Sequence, residues 1–201
     1  MLIEKIATLD VEPSTYKEIL SYSSSKPNNL VDIDFSKLSA FHRSLLKIDG
    51  TVTGFIAAYR HEPVEVVCLD QSNLVLDQYH ELLSLAKDES LIARQVLLKG
   101  VDSGIIYCYA VSLLAPQRIP DNVVDDVSVN NLGIGGAIAK GLIESRRNII
   151  HYGYENFDVT SVDENMNALN IGKDFASRIY TVVYDGKPIM LINERFPLNL
   201  N

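Results

Sequence analysis

The dipeptide Asp185-Gly186 stands between two runs of alternating apolar residues, SRIYTVVY (177–184) and KPIMLINERF (187–196). A two-residue hairpin loop needs left-handed backbone at both positions, which Asp-Gly supplies at low cost. Two paired antiparallel strands are therefore strongly specified at the C-terminal end. A second hairpin is written upstream: LIARQVLLK (91–99) and IIYCYAVSLLA (105–115) flank the turn Val101-Asp102-Ser103-Gly104. An isolated hairpin is at best marginal in water, so these two must share a larger sheet. The β-branched run 64–69 and the stretch 145–157 read as further strands.

Helical signals cluster outside the hairpins. Residues 35–48 place Phe35, Leu38, Phe41, Leu45 and Leu46 on one face. Asp49-Gly50 ends that helix. Thr51-Val52-Thr53 then opens a second one running to about Tyr59, with a threonine as its cap, closed by His61-Glu62-Pro63. Short helices are expected over 77–86, 133–143 and 163–171, with an irregular acidic crossover from Pro116 through 121–126. Helices followed by hairpins, without βαβ alternation, give an α+β fold with a mainly antiparallel sheet. Residues 1–35 read as a peripheral N-terminal extension and 36–201 as a single globular domain. The chain's 201 residues suffice for a core that needs no staples.

Charge and composition exclude several function classes. The formal net charge is −8, and no basic tract offsets it, which argues against nucleic acid as a partner. Glu4, Lys5 and Asp10 interrupt the first ten residues, unlike a signal peptide. No apolar run approaches a membrane span, so a cytoplasmic location without membrane partners is expected. Cys68 and Cys108 read as buried free thiols. His42, His61, His80 and His151 show no HxxxH or HExxH spacing, so no metal is expected. The glycine-rich stretch Leu132-Gly133-Ile134-Gly135-Gly136 departs from the dinucleotide fingerprint at Ile138 and follows no clean strand. It reads as a place where backbone approaches something closely.

Two charges sit in the wrong company. Arg94 shares a strand face with Ile92, Val96 and Leu98, and Glu194 shares one with Met190, Ile192 and Phe196. An isolated buried charge costs several kcal/mol. One reading is a buried Arg–Glu bridge, or an edge strand with wet charges. The other is an apolar pocket with one fixed cation and one carboxylate, suited to a small anionic ring. Arg146-Arg147 beside Glu144 reads as a solvated helix end. Arg178 divides evenly between site and surface. Tyr107 and Tyr109 read as core or interface.

The same residues carry a resemblance. Asp49-Gly50-Thr51-Val52-Thr53, Glu62-Pro63-Val64, Arg94-Gln95-Val96-Leu97-Leu98, Tyr109-Ala110-Val111-Ser112, Leu132-Gly133, Glu144 with Arg146-Arg147, Arg178-Ile179-Tyr180 and Gly186-Lys187-Pro188 leading to Asn193-Glu194-Arg195-Phe196-Pro197 occur in this order. The set resembles the chorismate pyruvate-lyase (4-hydroxybenzoate synthase) family, in the branch of archaea, cyanobacteria and actinobacteria, over about residues 36–200. The resemblance implies a sheet of about six antiparallel strands, helices packed over it, and a small internal cavity under helical flaps. It implies Arg94 and Glu194 as catalytic residues. It implies ligand contacts at Val52, Thr53, Leu132 and Gly133, to which Arg178 is added. The implied reaction converts chorismate to 4-hydroxybenzoate and pyruvate without metal or other cofactor. A monomer is expected, although no residue pattern encodes the oligomeric state. Two alternatives share the fold: an effector-binding module like those of GntR-type regulators, and a lyase for an amino-substituted chorismate.

Overall fold

The computed structural model describes residues 16–128, 134–141, 144–158 and 171–200. Six strands form one antiparallel sheet: β1 Val64–Val75, β2 Ser90–Gly100, β3 Ile106–Leu114, β4 Ser145–Asn156, β5 Asp174–Tyr184 and β6 Lys187–Pro197. Their spatial order is β1-β2-β3-β6-β5-β4. Both hairpins form as read. Asp185 (φ 47°) and Gly186 (φ 71°) each adopt the left-handed backbone that the tight β5–β6 turn requires. The crossover from β3 returns the chain to the far edge, so β6 pairs with β3 at the centre. Neither β2 nor β6 is an edge strand, which removes the wet-edge reading of Arg94 and Glu194.

Cross-strand register fixes which side chains share a face. Arg94, Ser112, Ile192 and Tyr180 occupy one rung across β2, β3, β6 and β5; Val96, Ala110, Glu194 and Arg178 occupy the next. Above this face lies a pair of helices, α2 Ala40–Lys47 and α3 Val52–Arg60. The Ser39 hydroxyl caps α2 by accepting from the His42 amide, and the Thr51 hydroxyl caps α3 by accepting from the Gly54 amide. Phe41, Leu45, Leu46, Val52 and Ile56 bury their side chains against Leu98, Cys108 and Phe196.

On the opposite face, a short helix α1 Lys17–Leu20 and the chain to Leu30 cover the sheet. Tyr16, Ile19, Tyr22 and Leu30 are all core residues there. The chain then joins the sheet edge through a reciprocal bridge between Val31 and Tyr154. Gly153 permits that crossing, because a Cβ would lie 2.3 Å from Leu30 Cγ.

Four local expectations are corrected. The helix expected over 35–48 is two pieces, a 3-10 turn Phe35–Lys37 and then α2, because Leu38 is extended (ψ 150°) before the Ser39 cap. Residues 77–86 form turns instead of a helix: His80 and Leu85 close a bridge and Ser84 takes a φ of 50°. The acidic crossover holds a helix, α4 Asp121–Ser128, which buries Val123 against α5 Ile134–Lys140. Arg146 and Arg147 belong to β4 and not to a helix end. The helix expected over 163–171 lies almost wholly outside the described residues. Among those described, no helix is long and apolar enough to cross a membrane.

Candidate active site

Between the sheet and the α2–α3 pair lies a narrow cavity of about 60 Å³. Apolar walls come from Val66, Val96, Leu98, Ala110 and Ile192, with Val52 of α3 as part of the lid and Ile134 of α5 at one side. Arg94, Ser112, Arg147, Tyr180 and Glu194 supply polar groups, and Thr51 and Thr53 line the lid. A mostly apolar chamber with a few convergent polar groups is the usual form of a small-molecule site.

The two anomalous charges meet in this chamber. Arg94 is 1% exposed and Glu194 7%. They do not cancel each other as the buried-bridge reading supposed. Glu194 Oε2 accepts instead from Arg178 Nε at 2.7 Å, directly across the β5–β6 ladder, and Oε1 accepts from the Tyr180 hydroxyl at 3.1 Å. Arg178 is fully buried and does not line the cavity. It stands behind Glu194, and its Nη1 donates to the Ile48 carbonyl at 2.8 Å, at the C-terminal end of α2. Burial is the largest single influence and works against the Arg178 charge, but Glu194, Tyr180 and Cys108 together outweigh it and raise the guanidinium pKa above its ordinary value. Arg178 therefore orients the carboxylate and ties the lid helix to it.

Burial pushes the Tyr180 hydroxyl far above its usual range, and the Glu194 carboxylate adds to the shift. The phenol stays protonated and remains a donor. Arg147 Nη1 donates to the Asp49 carbonyl at 2.6 Å, one residue beyond the carbonyl that Arg178 holds. Two arginines of adjacent strands thus grip the α2–α3 joint, where helix-end carbonyls would otherwise lack donors.

Of the residues expected at the site, Arg94, Glu194, Val52 and Thr53 line the cavity, and Arg178 touches it only through Glu194. Leu132 and Gly133 lie outside the described residues. The reading of single residues missed Arg147, Tyr180, Ser112 and Thr51. Tyr180 was detectable, since it follows Arg178 by two on the same strand and so shares its face. Arg147 was not, because a pair of adjacent arginines beside Glu144 at the start of a strand reads as solvated, and alternation sends one of the two inward only once the sheet is assembled. Among the described residues, no group of three or more His, Cys, Asp or Glu could hold a metal ion.

A second buried ion pair, Arg195 with Glu155, lies on the opposite face of the sheet. Arg195 donates to Glu155 (Nε to Oε2, 2.8 Å) and to Glu18 (Nη2 to Oε1, 2.8 Å), and stacks over Phe157 with 4.3 Å from guanidinium to ring centroid. Ser177 also donates to Glu155, and Tyr22 to Glu18. The N-terminal segment packs over this network, which leaves Glu18 partly exposed and serves the packing of the fold.

Comparisons with known proteins bear on this geometry. A family model described as chorismate pyruvate-lyase Rv2949c-like matches residues 46–201. A chorismate pyruvate-lyase of Mycobacterium leprae is 25% identical over 164 residues, spanning 81% of this chain and 77% of that protein. One from Mycobacterium tuberculosis is 24% identical over 183 residues, spanning 83% and 84%. Among solved structures, the chain resembles PhnF from Mycobacterium smegmatis with a TM-score of 0.57 and 12% identity, covering 75% of this chain and 65% of that one. The separate effector domain of PhnF gives 0.53 and 12%, covering 74% and 88%. At such identities the structural likeness speaks for the fold alone.

Proposed function

Because the chain belongs to the Rv2949c-like chorismate pyruvate-lyase family, we propose that it eliminates pyruvate from chorismate to give 4-hydroxybenzoate. The observation that carries this reading is the cavity itself: one buried arginine and one buried, braced carboxylate face an apolar chamber beneath the α2–α3 lid. The reaction asks for little else. The ether bond between the ring and the enolpyruvyl oxygen breaks. The ring carbon bearing the hydroxyl loses its proton, and the ring becomes aromatic. The departing enolpyruvate gains a proton and becomes pyruvate.

In this reading Arg94 binds and polarises an anionic oxygen of the substrate, in a water-poor site where such an interaction is strong. Glu194 accepts or relays the proton near the ring hydroxyl, held in place by Arg178 and Tyr180. Val52 and Thr53 close over the ring from the lid. The family resemblance further assigns Leu132 and Gly133 as ligand residues. Nothing in these steps draws on a metal or a redox group. The protein acts in the cytoplasm as a monomer.

Incubation of purified protein with chorismate should yield 4-hydroxybenzoate and pyruvate in equal amounts by chromatography. Arg94→Ala should lose at least about 10²-fold in kcat/KM, the scale of one charge-stabilising donor, with an unchanged circular-dichroism spectrum. Full activity in that variant would remove Arg94 from the mechanism. A second reading draws on the fold shared with PhnF: a ligand-binding module that breaks no bond. Tight binding of chorismate without product would favour it. Turnover of an amino-substituted chorismate in preference to chorismate would assign a different lyase substrate.

A further inference from the structure

Building on the lyase reading, we propose that Arg147 is a second carboxylate-binding cation of the cavity, so that the site selects ring compounds carrying two carboxylates. Arg147 and Arg94 line the same chamber. They come from β4 and β2, which stand four strand steps apart in the sheet, on the order of 19 Å at the backbone. Their long side chains therefore enter from opposite ends, with Ser112, Tyr180 and Glu194 between them. A ring compound with one carboxylate engages one end. A ring carrying a second carboxylate on an ether arm can engage both.

The state of the Arg147 side chain supports this role. It is only 13% exposed. Nη1 is anchored to the Asp49 carbonyl. The Asp49 carboxylate is 3.8 Å away and 79% exposed, a weak and screened partner. Nε is buried and has no hydrogen-bond partner among the described residues. A buried charged donor without an acceptor is unfavourable, and an anionic ligand oxygen would relieve it.

The assignment also gives the cycle a direction. The enolpyruvyl carboxylate is present in the substrate and leaves with pyruvate. Arg147 would strengthen binding before cleavage and add nothing to the affinity for the ring product, so it discriminates substrate from product.

The test uses two ligands that cannot react. One is 4-hydroxybenzoate, with one carboxylate. The other is 3-(1-carboxyvinyloxy)benzoate, already aromatic, with both. Titration calorimetry on Arg147→Met should show the dicarboxylate weakened roughly 10- to 100-fold, with 4-hydroxybenzoate within about twofold of wild type. Arg147→Lys, which keeps the charge, should retain more dicarboxylate affinity than Arg147→Met. If Arg147→Met does not fold, the comparison is read in Arg147→Gln, which can still donate to the Asp49 carbonyl. Equal weakening of both ligands would reduce Arg147 to a brace for the lid and overturn the proposal. So would unchanged affinity for both, or no binding of the dicarboxylate to wild type. Failure of wild type to convert chorismate would sink the lyase reading separately, while the ratio of the two affinities would still report on Arg147.

Discussion

Replacing Arg178 with Met removes the guanidinium behind Glu194 while keeping a side chain of similar length against Tyr180 and Phe196, whose ring centroids lie 4.9 and 5.9 Å from it. Glu194 would then be a buried carboxylate with one neutral donor, the Tyr180 hydroxyl. Breaking a buried ion pair by removing one partner costs about 3–5 kcal/mol. The lost bond to the Ile48 carbonyl adds about 1 kcal/mol. The sum, about 4–6 kcal/mol, is a large share of the 5–15 kcal/mol typical of a folded domain. For a chain of this size it lowers Tm by on the order of 10–20 °C.

The second variant makes the reasoning refutable. Arg178→Met combined with Glu194→Leu removes both charges together, and a buried pair exchanged for apolar side chains is often neutral or stabilising. The double variant should recover about 3 kcal/mol or more of the loss, leaving chiefly the Ile48 carbonyl deficit. Calorimetric melting of wild type, both single variants and the double variant completes the cycle. A double variant no more stable than Arg178→Met alone would refute the argument, since the isolated charge would not be the source of the loss. Neither variant should make product, which separates the stability role of the pair from its place in the site.

Four further outcomes follow. Glu155→Gln should destabilise the fold more than Glu18→Gln, by about 2 kcal/mol, because the side chains are 1% and 36% exposed against the same Arg195; urea unfolding of the two variants gives the order. Ser39→Ala should cost about 1 kcal/mol through loss of the α2 cap, measured by the same method. His42 and His80 are both held below the ordinary imidazole range, first by burial, so both stay neutral in the folded protein. Their contribution is fully present above about pH 6.5 and is lost as pH falls towards the folded values, so the urea midpoint should drop on acidification through that window and drop less in His80→Gln. Finally, kcat/KM for chorismate should change by no more than about threefold between 0.05 and 0.3 M salt, because desolvated arginines and not the −8 net charge meet the substrate.

Much of the sheet was legible because hairpin chemistry is local. Asp185-Gly186 fixes a turn, and the turn fixes the register that sets Arg178 opposite Glu194. The start of α3 was legible for the same reason, since its threonine cap lies within three residues of the amide it satisfies; the start of α2 was not, because the apolar face runs back past the Ser39 cap to Phe35. What failed depended on distant partners. Residues 77–86 carry a helical pattern, but the His80–Leu85 bridge overrides it. Residues 121–128 look like a crossover from composition, yet Val123 finds cover against α5 only in three dimensions. The partner of Glu194 was misjudged between two arginines because alternation assigns a face and does not assign a neighbour. Strand order decides the neighbour, and strand order depends on the β3–β4 connection, whose sequence does not announce it.

Glu194 and Arg195 show where the reach of pattern ends. They are consecutive, so a strand must send them to opposite faces, and each is buried against an opposite charge. From the sequence NERF the two are equivalent anomalies. Closure distinguishes them. Arg195 is enclosed by Glu155, Glu18 and the Phe157 ring beneath a segment that fills the space above it. Glu194 has one side braced by Arg178 and Tyr180, and the other open to a chamber roofed by two short, separately capped helices. Chemistry requires a charge that is positioned and still reachable. The arginines that position Glu194 and line its chamber also hold the Ile48 and Asp49 carbonyls of the roof. The bracing of Glu194, the lining of its chamber and the fastening of the roof therefore draw on Arg178 and Arg147 together.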